Sequence, residues 1–103
     1  MPVAQLFHAL GDSVRLEMVG RLSGGSPLTI GALSSNLGIS RQGARKHIQA
    51  LSDAHIVTLT SQGRDIHVRL NPDSLSEGRA FIDDMTGRWE KRLESLRQFV
   101  EKA

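Results

Sequence analysis

The chain has 103 residues, 39% hydrophobic and 23% charged, with a formal net charge of +2 and no cysteine. That length fits one domain, 1–103, whose modest core would gain from dimerisation; the missing thiols exclude disulfide staples, thiolate metal sites and cysteine redox switches. No apolar run reaches membrane-span length and the N-terminus lacks a signal-peptide layout, so no membrane partner is expected and a cytoplasmic location is the default.

Residues 3–10, VAQLFHAL, place Val3, Leu6, Phe7 and Leu10 on one helical face. Gly11 can end this helix, and Asp12 or Ser13 can cap the next. Val14, Met18, Val19 and Leu22 then recur at helical spacing before Gly24-Gly25 closes the pattern. Ser26-Pro27-Leu28 reads as a linker. Thr29 can cap a third helix in which Ile30, Leu33 and Leu37 share a face. Gly38 permits the positive φ of a tight turn, Ile39 plugs that turn and Ser40 restarts the helix. Two short helices joined by a glycine-containing turn of about three to four residues carry the helix-turn-helix signature, here over 29–52.

Residues 40–51, SRQGARKHIQAL, are expected to form the recognition helix. Ser40 is a good N-cap, and Ala44, Ile48 and Leu51 make an inward stripe. Arg41, Gln42, Arg45, Lys46 and Gln49 fall on the opposite face, where long donors meet no carboxylate. Alone, such a stripe is equally well an ordinary solvated helix face. The charge distribution favours DNA: residues 40–70 carry +3, against zero before them and −1 after.

A hairpin follows. Val57 and Leu59 alternate with Thr58 and Thr60, and Ile66, Val68 and Leu70 with His67 and Arg69, across a Gln62-Gly63-Arg64-Asp65 turn. Placed after a recognition helix, this hairpin (56–70) reads as a two-stranded wing with Arg64 at its tip. Asn71-Pro72-Asp73 stops the strand. Ser74-Leu75-Ser76-Glu77 has capping-box spacing and opens a last helix, 74–101. Ile82, Met85, Trp89, Leu93, Leu96 and Val100 follow a helical period, widened by Phe81 and Phe99. At about 1.5 Å per residue this helix is roughly 40 Å long, longer than a three-helix core can cover. The first and last helices are therefore expected to form a homodimer surface from Val3, Leu6, Phe7, Leu10, Phe81, Ile82, Met85, Trp89, Leu93, Leu96 and Val100. Gly78 and Gly87 weaken the helix, and a close helix crossing would justify Gly87.

In this order the elements resemble ArsR-type winged-helix repressors. The resemblance runs through FHALGDSVRLEMVGRL (7–22), TIGALSSNLGISRQGARKHIQALSDAHIV (29–57) and QGRDIHVRLNP (62–72), with Ser13-Val14-Arg15, Gly38, Ser40, Lys46-His47, Leu51 and Gly63-Arg64 at matching places. RWEKRLESLRQFVE (88–101) is similar to a subgroup with a Trp-centred last helix. The resemblance implies a mostly α (α+β) winged helix-turn-helix of about five helices that binds double-stranded DNA as a homodimer. Gly43 departs from the family pattern; it either admits DNA closely or removes a contact. Metal-sensing relatives use cysteines, or histidines on the last helix, and both are missing here, so no metal and no cofactor are expected. His8, His47, His55 and His67 lack ligand spacing.

These readings lead to a sequence-specific transcriptional regulator, a repressor, with no enzymatic activity. Arg41, Gln42 and Arg45 are expected to read bases, Ser40, Lys46 and His47 to hold phosphates, Gln49 to share their face, and Arg64 and Arg69 to anchor the wing. The alternative from another class is a winged-helix module for a protein partner. An enzyme is disfavoured because no nucleophile–base pair, phosphate loop or metal cluster is present, and Asp83-Asp84 point about 100° apart on a helix. A small-molecule inducer of unknown identity can be imagined among Phe7, Phe81, Trp89 and Phe99, although dimer core is the preferred reading of those aromatics.

Overall fold

The computed structural model describes residues 3–102; residues 1, 2 and 103 of the expected domain lie outside the described part. The elements are α1 (Val3–Leu10), α2 (Ser13–Leu22), β1 (Leu28–Thr29), α3 (Ile30–Ser34), α4 (Arg41–Asp53), β2 (Val57–Gln62), β3 (Asp65–Leu70) and α5 (Pro72–Lys102). Five helices and an antiparallel sheet make a winged helix. The wing has three strands, not two, in the order β1-β3-β2. The segment read as a linker supplies the third: Leu28 pairs with Val68 and Thr29 with His67. Two residues, the first following a proline and the second itself the cap of α3, carry no alternation, so only the pairing reveals this strand.

The core is made by Leu6, Ala9, Met18, Leu22, Leu33, Ala44, Ile48, Leu51, Ala54, Ile56, Val57 and Val68. The inward stripe of α4 lies where its periodicity puts it. The hairpin register also holds, from Val57 opposite Leu70 to Gln62 opposite Asp65. Gly63, first of the two turn residues, takes a positive φ of 62°, as the first position of a II′ turn requires. Only the base of the wing is covered, however; Leu59 and Ile66, nearer the tip, are exposed.

Helix boundaries are set by specific side chains. The Asp12 carboxylate caps α2, accepting from the Val14 and Arg15 amides at 2.8 and 3.1 Å. Arg21 donates through Nη1 to the carbonyls of Leu33 and Ser35, satisfying the end of α3 from the last turn of α2. The turn from α3 to α4 spans residues 35–40, longer than expected, because Asn36 (φ 59°) and Gly38 (φ 69°) both take left-handed conformations. Ser40 caps α4 through the Gly43 amide at 3.0 Å.

The end of α4 is a Schellman motif. The Ile56 amide donates to the Leu51 carbonyl and the His55 amide to that of Ser52, both at 2.9 Å, with His55 at φ 60° in the place glycine usually takes. Leu51 and Ile56, the motif's apolar pair, are both fully buried.

The capping box expected at Ser74–Glu77 does not form. Helix α5 begins earlier, at Pro72, a residue suited to a first helical position because its missing N–H would be unpaired there. Asn71 caps it, accepting from the Asp73 amide at 3.2 Å. Ser74 turns inward, and its hydroxyl donates to the His55 carbonyl.

Helices α1 and α5 cross closely at Gly78. A Cβ there would stand 2.5 Å from Leu6 Cδ2, whereas one on Gly87 would meet nothing within 4 Å. The close crossing therefore explains Gly78, and within the protomer it does not involve Gly87. Leu6, expected on the dimer surface, is 1% exposed and belongs to the protomer's own core. The apolar face of α1 is shared: Leu6 and Ala9 point inward, and Phe7 reaches Phe81 on α5 with ring centroids 5.7 Å apart.

Two outcomes are expected. Gly78→Ala should destabilise the protein in urea titrations, by about 1–2 kcal/mol from overpacking against the buried Leu6; a loss no greater than that of Gly87→Ala would refute the close crossing. The Asp12 cap should show in the pH dependence of thermal unfolding. Hydrogen bonds from the Arg15 amide, then that of Val14, with help from nearby positive charge, hold its carboxyl below the ordinary value of 3.8. A depressed folded-state pKa gives stability that is present above 3.8 and lost as pH falls through the lower folded value. Asp12→Ala should therefore melt below wild type at neutral pH, with the difference shrinking only in strong acid.

Candidate nucleic-acid interface

Helix α4 presents Arg41, Gln42, Arg45, Lys46 and Gln49 to solvent, because Ala44, Ile48 and Leu51 pin the other face into the core. Arg41 and Arg45, one turn apart, line one wall of a cleft of about 620 Å³. The opposite wall is the wing, with Arg64, Asp65 and Ile66, and Thr29, Ile30, Gly31 and Ser34 form the floor. Three guanidinium groups from two elements thus face one carboxylate. Among the described residues no ion pair engages Arg41, Arg45, Lys46 or Arg64. The cleft therefore keeps an unneutralised positive field of the kind that binds phosphate.

Ser40 serves the helix as its cap, and Gly43 sits directly beneath it. A Cβ at Gly43 would lie 3.2 Å from Ser40 Oγ, so glycine relieves crowding at the cap. Gln49 spends its amide on Asp53 within the same helix, donating at 2.8 Å. Arg69 is exposed but stands apart from the cleft. It borders a separate hollow of about 370 Å³ at the base of the wing, with Leu22, Ser23, Gly25, Leu70, Pro72 and Leu75. The two wing arginines therefore do not line one surface: Arg64 borders the cleft with the α4 arginines and Arg69 does not.

His47 is also off the open row, half-buried beneath it. Its Nδ1 lies 3.1 Å from Arg15 Nη1 and 3.9 Å from Asp12 Oδ1. Arg15 Nε in turn donates to the Ala9 carbonyl at 2.6 Å, so one side chain joins the end of α1, the start of α2 and the recognition helix. Sequence reasoning gave Arg15 no role. Its only signal is its place beside Ser13 and Val14 in the opening motif, since contact with a residue 32 positions away has no local pattern.

The side chains expected to pair two copies are divided. Val3 and Leu10 pack against the core and Phe7 is half-buried. Phe81, Ile82, Met85, Trp89, Leu93, Leu96 and Val100 remain 38–70% exposed. No helix among the described residues is long and apolar enough to cross a membrane.

Comparison with known proteins agrees with this architecture. Residues 10–60 match the family model described as a helix-turn-helix domain. The chain is 30% identical over 95 residues to the HTH-type transcriptional regulator Rv2034 of Mycobacterium tuberculosis, covering 92% of this chain and 85% of the relative. Among solved structures, an ArsR-like transcriptional regulator from Rhodococcus sp. RHA1 superposes with a TM-score of 0.79 at 28% identity, over 94% of this chain and 91% of that one. The homodimeric winged helix-turn-helix DNA-binding domain of Mb0332 from Mycobacterium bovis shares the fold, with a TM-score of 0.65 at 21% identity over 82% and 78% of the two chains. An exposed arginine-rich helix beside a wing, on this scaffold and with these relatives, identifies the chain as a member of the helix-turn-helix transcriptional regulators, built on the winged fold of ArsR-like proteins.

Proposed function

We propose that this regulator is a homodimeric repressor of the cytoplasm that reads an inverted repeat and senses no metal, in the manner of the subgroup with a Trp-centred last helix. The observation that carries the reading is the cleft lined by Arg41, Arg45 and Arg64, none of which has an ion-pair partner among the described residues. Each subunit lays α4 into a major groove, with half-sites about one helical turn apart. Arg41, Gln42 and Arg45 read base edges: arginine suits guanine O6 and N7, glutamine adenine N6 and N7. Lys46 holds the backbone, and Arg64 closes on a phosphate or the minor groove from the wing. Gln49 and Arg69, engaged or displaced as described, contribute less.

Pairing is supported by the outer part of α5. Trp89 is 60% exposed and Phe99 73%, on a helix whose apolar period continues to Val100. An apolar row of this length on a soluble monomer calls for a partner, and a homodimeric neighbour shows that this fold can supply one.

Capture of bound fragments from source DNA at moderate salt should return one short inverted repeat. On that repeat, Arg45→Ala should lose about 1–3 kcal/mol of discrimination against random duplex. Lys46→Ala should instead weaken both DNAs alike and lower the salt slope by about 0.9. Equal, sequence-independent losses for the two variants would overturn this division of roles, and absence of duplex binding at low salt would favour a protein partner. In sedimentation the wild type should run as a dimer and Leu93→Glu as a monomer that no longer holds the full repeat; a monomeric wild type at micromolar concentration would refute the pairing.

A further inference from the structure

We propose that Arg15 is a positioning residue for the recognition helix: it locks His47 in its Nε2–H tautomer and so makes the ring a neutral donor to the DNA backbone. The tautomer half concerns the free protein; the phosphate half rests on the DNA-binding reading above.

The lock follows from donor counting. A guanidinium has five N–H donors and no acceptor. The 3.1 Å approach of Arg15 Nη1 to His47 Nδ1 therefore requires an unprotonated Nδ1. Among the described residues, the carboxylate paired with that nitrogen is Asp12. Its Oδ1 is 3.9 Å from Nδ1, beyond hydrogen-bond reach, and already accepts from two backbone amides. Arg15 is itself anchored, its Nε donating to the Ala9 carbonyl at 2.6 Å. A neutral imidazole with an accepting Nδ1 carries its proton on Nε2.

That proton faces a free surface. His47 Nε2 has no hydrogen-bond partner among the described residues, yet it is not among the buried unsatisfied atoms, so solvent reaches it. The side chain keeps 23% of its surface exposed. Residue 47 follows Lys46 and lies one turn beyond Gly43, on the flank of α4 rather than its outer row. Flanking positions of a groove-bound helix reach phosphates, which fix register and carry no sequence information. A locked donor at this point ties the helix's depth in the groove to α1 and α2 through one arginine.

Nitrogen-15 NMR of the ring in the free, full-length protein at pH 8 tests the lock. Wild type should show a single Nε2–H tautomer, Arg15→Met a mixture, and Arg15→Lys, which keeps a donor, a partial return. A mixed or Nδ1–H ring in wild type would overturn the lock without recourse to any variant. The phosphate half is read on a random-sequence duplex at low salt, because backbone contacts do not depend on sequence. His47→Gln places an amide near Nε2 and should bind within about threefold of wild type. His47→Asn places it near Nδ1 and should lose about fivefold, as loss of one hydrogen bond predicts. Arg15→Met should lose the same, and the double variant no more. Salt slopes should not move, since a neutral donor releases no counterion. Equal binding by wild type and His47→Asn, or additive losses in the double variant, would overturn the phosphate role. A wild type that binds no duplex would sink the DNA reading and this half with it, while the tautomer result stands apart.

Discussion

The carbonyl of His55 is the joint on which the rest of the molecule depends. It accepts from Asn71 Nδ2 at 2.9 Å and from the Ser74 hydroxyl, while the neighbouring Ile56 carbonyl accepts from the Asn71 amide at 2.8 Å. The end of the recognition helix, the entry to the wing and the first turn of α5 therefore meet at two consecutive peptide groups. His55 presents that carbonyl only by taking a left-handed conformation, which histidine tolerates better than most residues. The Schellman bonds and the burial of Leu51 and Ile56 hold it there. A shift of α5 cannot leave α4 where it is. In a dimer built on α5, the separation of the two recognition helices would be fixed through this joint.

The other end of α4 is fixed differently. Ser40 satisfies the first turn, Gly43 leaves room for that cap, and the Arg15–His47 contact braces the helix from below. The helix is thus held at both ends by polar contacts and along its length by three buried apolar side chains. Its open face carries no obligation to the fold. That separation is why Arg41, Gln42, Arg45 and Lys46 can stand there exposed at little cost to stability, while Gln49 is already engaged with Asp53.

Local patterns were legible in the sequence, and tertiary pairings were not. The α4 stripe, the hairpin register and the Gly11–Asp12 break all lie within a few residues of the atoms they bond, so periodicity and capping chemistry reveal them. Strand β1 exists only because β3 passes beside it. The capping box at Ser74–Glu77 had the right spacing, but the His55 carbonyl drew Ser74 inward and Asn71-Pro72 started the helix first. Leu6 fitted an outward row equally well, and the choice between faces was made by Gly78, seventy-odd positions away. In the candidate site, the exposure of Arg41 and Arg45 on α4 and of Arg64 on the wing turn was readable from type and position. The separation of Arg69 from them was not, because a strand pattern does not say which end of the wing faces the helix.

The shape of the protomer joins stability to assembly. Its extents are 69 × 25 × 23 Å and its radius of gyration is 18.7 Å, where a compact chain of this length has about 13 Å. The excess is α5, about 46 Å long at 1.5 Å per residue, of which only the first turns touch the protomer's core, at Ser74, Leu75 and Gly78. Beyond Phe81 every large apolar side chain of the helix is 38–73% exposed, and its surface ion pairs, such as Arg88 with Asp84 at 3.2 Å, are exposed contacts of small worth. Helical propensity alone does not hold such a segment, which includes Gly87. Burying Met85, Trp89, Leu93 and Leu96, which stand 38–60% exposed in the protomer, against another surface would supply the missing stabilisation. If that surface is a second copy, α5 folds as the dimer forms and the protein's stability depends on its concentration. DNA binding then inherits the same dependence, because the joint at His55 cannot hold the two recognition helices in register until α5 is paired.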